Sequence, residues 1–195
     1  MYFIKLSITL ILAGILAGCA AAQYPSIHNV DPLHLKDNES IFIVSSGASE
    51  TCKVEASYVL VKSGEEKISL FPLNNGFSDS MFDDEFGLVF TMVVPPGVYE
   101  FWHYAGHPYV SDEYLLTNPI SIKPKEIKYI GEFYAFGGCG NPRISIRDRR
   151  NRDINRVMLD APGLNDKSII IDIVEPIKSS NSLPDAEEIL KKYIK

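Results

Sequence analysis

The chain has 195 residues, of which 46% are hydrophobic and 23% charged, a balance that suits one globular domain with a core and excludes wholesale disorder. A formal net charge of −6 gives no electrostatic basis for nucleic-acid binding. Ten Phe and ten Tyr against six Arg favour strands over helices.

The first element is an apolar leader. Residues 1–16 carry one charge, Lys5, ahead of the run Leu6-Ser-Ile-Thr-Leu-Ile-Leu-Ala-Gly-Ile-Leu16. That run is too short for a bilayer core, which takes about 20 residues. Its length and the Lys before it fit a secretory signal peptide.

The leader ends in Leu16-Ala17-Gly18-Cys19, which resembles the lipobox of bacterial lipoproteins. The resemblance covers residues 1–19. It implies that the Cys19 thiol takes a diacylglyceryl group, that cleavage before Cys19 removes residues 1–18, and that the new amine is acylated, commonly with palmitate. The partner so implied is a lipid bilayer. Each buried methylene of such chains contributes about 0.8 kcal/mol, so two or three chains make a durable anchor. Ala20 stands where an Asp would be the family's inner-membrane retention signal. In a cell with two membranes the resemblance therefore implies the outer membrane, facing the periplasm.

Two cysteines remain, Cys52 and Cys139, separated by 87 positions. In an exported protein they read as a disulfide pair, which would restrict the unfolded chain by ~4–5 kcal/mol. Two buried free thiols are the other reading.

Residues 19–39 read as a lipidated N-terminus and tether, with Pro25, Pro32, Asn29 and Asn38 and no sustained period. From Ser40 short strand-like runs alternate with turn residues. They are Ile41–Val44, Lys53–Lys62, Ile68–Phe71, Phe86–Val94, Val98–Tyr104, Ile120–Ile122, Ile127–Phe136, Arg143–Arg147 and Ser168–Val174. Phe86, Leu88, Phe90, Met92 and Val94 fall on one strand face. Pro95-Pro96-Gly97 then stops that strand, and the pair of runs around it reads as a hairpin. A short helix over Asp153–Leu159 and a C-terminal helix after Ser182 complete the pattern.

The fold class so predicted is all-β: an antiparallel β-sandwich, Ig-like or prealbumin-like, of about eight or nine strands, with a closed barrel as its rival. The sandwich domain is placed at 40–178, followed by a linker and the helix at 179–195. Pro95-Pro-Gly-Val-Tyr99, Ile120-Ser-Ile122 and Ile127-Lys-Tyr-Ile-Gly-Glu132 are similar to motifs of small transthyretin-type and carboxypeptidase-regulatory-type sandwiches found in bacterial lipoproteins. The likeness spans about a quarter of the chain. It implies binding or scaffolding rather than turnover, and carries over no functional residue.

Candidate sites outside the anchor are few. All six arginines, Arg143, Arg147, Arg149, Arg150, Arg152 and Arg156, fall in one segment, and residues 140–160 hold a local charge of +3. Guanidinium forks match phosphates and carboxylates, so one reading is docking to anionic headgroups or an acidic partner. The preferred reading is a solvated hairpin or loop in which Asp148 and Asp153 neutralise neighbours and other arginines pair across the domain. Trp102, Tyr104 and Tyr109 read as an aromatic platform for sugar rings or as a sheet-edge cluster. His103 and His107 sit at a strand end without the ligands that a tetrahedral metal site needs. The acidic stretch Asp79, Asp83, Asp84 and Glu85 lacks the spacing of a calcium loop. No nucleophile elbow, zinc-protease helix or phosphate loop occurs. The expectation is a non-enzymatic, cofactor-free envelope lipoprotein that binds or supports another envelope component. Glycan binding or hydrolysis, and anion docking through the arginines, are the alternatives.

Overall fold

The computed structural model describes residues 34–49, 55–62, 68–74, 80–107, 110–137 and 143–180. The described residues are mainly β. Their strands are β1 (Ser40–Ala48), β2 (Glu55–Lys62), β3 (Ile68–Asn74), β4 (Phe86–Val94), β5 (Gly97–His107), β6 (Val110–Thr117), β7 (Ile120–Ile122), β8 (Ile127–Phe136), β9 (Arg143–Arg147), β10 (Ile169–Ile171) and β11 (Pro176–Ser180). One α-helix, α1 (Arg150–Asp160), and a 3-10 turn (Pro162–Asp166) lie between β9 and β10. Each of the nine runs read from the sequence contains a strand here, although only Ile169–Ile171 of Ser168–Val174 is one, and Lys53 and Val54 lie outside the described residues. The helix is longer at its start than expected, because the Asp148 carboxylate accepts the Arg150 N–H and opens the first turn there. Residues 182–195, where a C-terminal helix was expected, lie outside the described residues.

The strands form two sheets. In the first, β4 pairs β1, β1 pairs β8, and β9 and β10 both pair the far side of β8. In the second the order is β11-β6-β5-β2-β3, with β7 also on β5. Two expectations need correction. The pairing is not wholly antiparallel, since β1–β8 and β8–β10 are parallel. The runs either side of Pro95-Pro96-Gly97 are also not a hairpin. β4 ladders to β1 in the first sheet, whereas β5 ladders to β2, β6 and β7 in the second. Two consecutive prolines cannot donate to a ladder, so the chain leaves one sheet and enters the other. The Tyr99 hydroxyl donates to the Pro95 carbonyl and ties down this crossing.

One core cluster draws on both sheets: Phe42, Val44, Met92, Val94, Ile130 and Phe133 from the first, Tyr99, Phe101, Leu115, Ile120 and Ile122 from the second. Phe42 meets Tyr99 and Phe101 edge-on, at 5.5 and 5.4 Å between ring centres. A second cluster lies on the other face of the first sheet. There Ile41, Ile43, Val89, Val93, Ile127 and Tyr129 pack under Val157, Ala161 and Leu164. Helix α1 docks by a stripe of Ile154, Val157 and Met158, the spacing of one helix face.

A bulge in β8 sets the chemistry of that outer face. Ile43 opposes Tyr129 while Ser45 opposes Glu132, so β8 fits two residues, Ile130 and Gly131, where β1 has only Val44. The extra residue turns both Tyr129 and Glu132 toward the helix. Gly131 adopts φ +108°, and a β-carbon there would stand 3.2 Å from Ile146 and 3.3 Å from Ile173. Gly131→Ala is therefore expected to cost about 1–3 kcal/mol, read as a lower urea midpoint with an unchanged slope.

Candidate functional site

The outer face of the first sheet gathers charge at one end. β8 supplies Glu132, β1 supplies Ser45 and Gly47, β9 supplies Arg147, and the first turn of α1 supplies Arg152 and Asp153. Arg149 comes from the link before the helix, and Glu85 from the turn before β4. That turn is organised by the Ser80 hydroxyl, which accepts the N–H groups of Phe82 and Gly87.

Glu132 is fully buried and is held from two sides. Arg147 Nε donates to its Oε2 at 2.7 Å, and Arg152 Nη2 donates to its Oε1 at 2.7 Å. Only glycine fits at position 47, since a β-carbon there would lie 2.5 Å from Glu132 Oε1. Asp153, also fully buried, accepts from the Ser45 hydroxyl, from the Tyr129 hydroxyl at 2.7 Å and from Arg152 Nε at 2.8 Å. The Tyr129 oxygen in turn accepts the Arg149 backbone N–H at 3.1 Å. Burial, with the Asp153 charge beside it, raises the Tyr129 hydroxyl above its ordinary range, so it stays a donor.

Glu85 closes the cluster from outside. Arg147 reaches it with both terminal nitrogens, at 3.1 and 2.7 Å, and Arg149 Nη2 at 2.6 Å. The hydrogen bond from Arg147 outweighs partial burial and pulls the Glu85 carboxyl down to about 2. Arginine faces are covered as well. Arg147 lies 3.4 Å over the Tyr134 ring and Arg152 3.8 Å over the Phe82 ring. Three arginines and three carboxylates thus cancel. One donor stays unmet: Arg152 Nη1 is buried without a hydrogen-bond partner, and Glu85 Oε2 is 3.8 Å away. Beside the cluster an open recess of about 320 Å³ is lined by Asp148, Arg149, Arg150, Asn151 and Arg152.

The arginine segment begins in β9, antiparallel to the preceding β8 as a hairpin reading expects, and continues into a link and a helix rather than a solvated loop. The pairing expected for it does occur. Arg147, Arg149 and Arg152 face Glu85 and Glu132, Arg150 binds Asp148, and Arg156 binds Asp160 at 3.2 Å. Arg143 is exposed, and no carboxylate among the described residues pairs with it. The sequence reading missed Glu132, Ser45 and Tyr129 as site residues, and took Glu85 only as part of an acidic stretch. Glu132 carried one signal, a lone carboxylate within the apolar run of β8.

Other expected sites are only partly visible. Trp102, His103, Tyr104 and His107 lie on β5, but their side chains and the whole of Tyr109 are outside what is described. Cys19, Cys52, Cys139 and Asp79 also lie outside the described residues. Asp83 and Asp84 are exposed while Glu85 turns inward to the arginines. Among the described residues no group of three His, Cys, Asp or Glu side chains is placed to hold a metal ion, and no helix is long and apolar enough to cross a membrane. No protein-family model, curated protein or solved structure matches this chain.

Proposed function

We propose that this chain is a lipid-anchored envelope lipoprotein of a bacterium, without enzymatic activity, whose β-sandwich binds or supports another envelope component. The observation that carries the reading is Leu16-Ala17-Gly18-Cys19 directly after a short apolar run led by Lys5. Cys19 bears the lipid and sits in the membrane, on the periplasmic side of an outer membrane where there are two. The stretch from Cys19 to His34, ahead of the turn at Lys36–Glu39 that is tied to the domain, has a reach of about 50 Å at full extension, ample to hold the domain clear of the headgroups. The sandwich reading is supported by the cluster that takes residues from both sheets.

A Cys52–Cys139 bridge belongs to the same reading. β1 and β8 run parallel and end side by side, with Ala48 opposite Ala135 and the Ser49 N–H donating to the Ala135 carbonyl at 3.0 Å. Cys52 and Cys139 follow a few positions after those ends. Both thiols are expected to alkylate only after reduction.

Cys19→Ala tests the anchor. In cells fed labelled palmitate, the wild-type chain is expected to carry the label and to sediment with membranes through a high-salt wash. The variant is expected to carry no label and to lose its mature, membrane-bound form. Equal labelling and equal membrane retention of the variant would remove the basis of the proposal.

A further inference from the structure

The geometry points to the Arg147–Arg149–Arg152 cradle as a binding site for a tetrahedral oxyanion, a phosphate or sulfate ester group, with Glu85 as a tethered stand-in that the ligand displaces. This goes beyond the lipoprotein reading and stands independently of it. Glu85 Oε2 lies 2.7 Å from Arg147 Nη2, 2.6 Å from Arg149 Nη2 and 3.8 Å from Arg152 Nη1. Its other oxygen already accepts from Arg147 Nη1 at 3.1 Å. A planar carboxylate has only these two oxygens, and the third arginine is left with its buried Nη1 unmet. A phosphate or sulfate monoester offers a third terminal oxygen, an acceptor more than the carboxylate has for the unmet Arg152 Nη1.

Charge and access agree with this. With Glu85 displaced, three arginines face Glu132 and Asp153, and the one uncompensated positive charge balances a sulfate monoester in full and a phosphate monoester, at about −1.5 to −2, in part. Glu85 is the exchangeable member, because it arrives on the turn ordered by Ser80, whereas Glu132 and Asp153 are fully buried on β8 and α1. The recess lined by Asp148 to Arg152 reaches two of these arginines, Arg149 and Arg152, from solvent, and the Asp148 carboxylate in it is already held by Arg150.

Calorimetric titration of the mature chain in a neutral detergent tests the site, with methyl phosphate, methyl sulfate and a short-chain phosphatidate as probes. Removing the tethered competitor in Glu85→Gln is expected to tighten binding by about tenfold or more. Adding Arg149→Ala, a change at the least buried of the three arginines, is expected to abolish that gain. Preference for the phosphatidate identifies a lipid headgroup as the source of the oxyanion; equal binding of the methyl esters identifies a soluble ester. Absence of binding to folded Glu85→Gln, or binding indifferent to Arg149→Ala, overturns the assignment. Should Glu85→Gln not fold, the thermal shift that methyl phosphate gives the wild-type chain decides in its place. Its loss in Arg149→Ala supports the site, and no shift in either chain overturns it.

Discussion

Glu132→Ala is expected to destabilise the domain by about 3–5 kcal/mol, the usual result of removing one partner from a buried ion pair. Glu132 has no solvent exposure and holds both Arg147 and Arg152. Without it, two guanidinium groups stay packed against Tyr134 and Phe82 with only Glu85 and Asp153 to balance three arginines. The same cluster joins β8, β9, α1 and the turn before β4, so the loss reaches each of those elements. Urea unfolding of wild type, Glu132→Ala, Arg152→Met and the double variant checks this. The double variant is expected to be less damaged than the sum of the singles, because the stranded charge goes with its partner. Additive losses would mean that the two side chains do not act as a pair.

Acid is expected to weaken the domain through Glu85. Its carboxyl titrates at about 2 in the folded chain against an ordinary value of 4.5, so the folded state favours the ionised form. The resulting stabilisation is complete above about pH 4.5 and drains away as pH falls toward 2, to a total of about 3 kcal/mol. Glu85→Gln has no such proton to take up. At pH 7 the variant is expected to be the less stable by about that amount, with the difference closing between about pH 4.5 and pH 2. A difference independent of pH would show that packing of the turn, and not the Glu85 charge, holds it in place.

The parts of the fold legible in the sequence are those set by near neighbours. The alternation from Phe86 to Val94 gives β4 and its core face, and the apolar stripe of Ile154, Val157 and Met158 belongs to the helix expected before Pro162. Two strands escaped notice, β6 because Ser111-Asp-Glu113 interrupts its apolar residues, and β11 because it opens on Pro176. The Pro-Pro-Gly corner announces that β4 stops but not that the chain changes sheets, since that depends on partners far along the chain. The parallel β1–β8 ladder is hidden for the same reason, as it joins segments more than 80 positions apart. The arginine cluster shows the limit most clearly. Arg147 and Glu85 are 62 positions apart, and Ser45 and Asp153 are 108 apart. Only the Gly131 bulge turns Tyr129 and Glu132 to one face, so three arginines of a segment that looks solvated close, half-buried, over two buried carboxylates.

The most direct test of the proposed lipid anchor is the mass of the N-terminal peptide of the chain purified from cell membranes. The expected chain begins at Cys19, lacks residues 1–18, and carries a diacylglyceryl thioether on that cysteine. A peptide that retains residues before Cys19, or a Cys19 thiol free to alkylate, would contradict it.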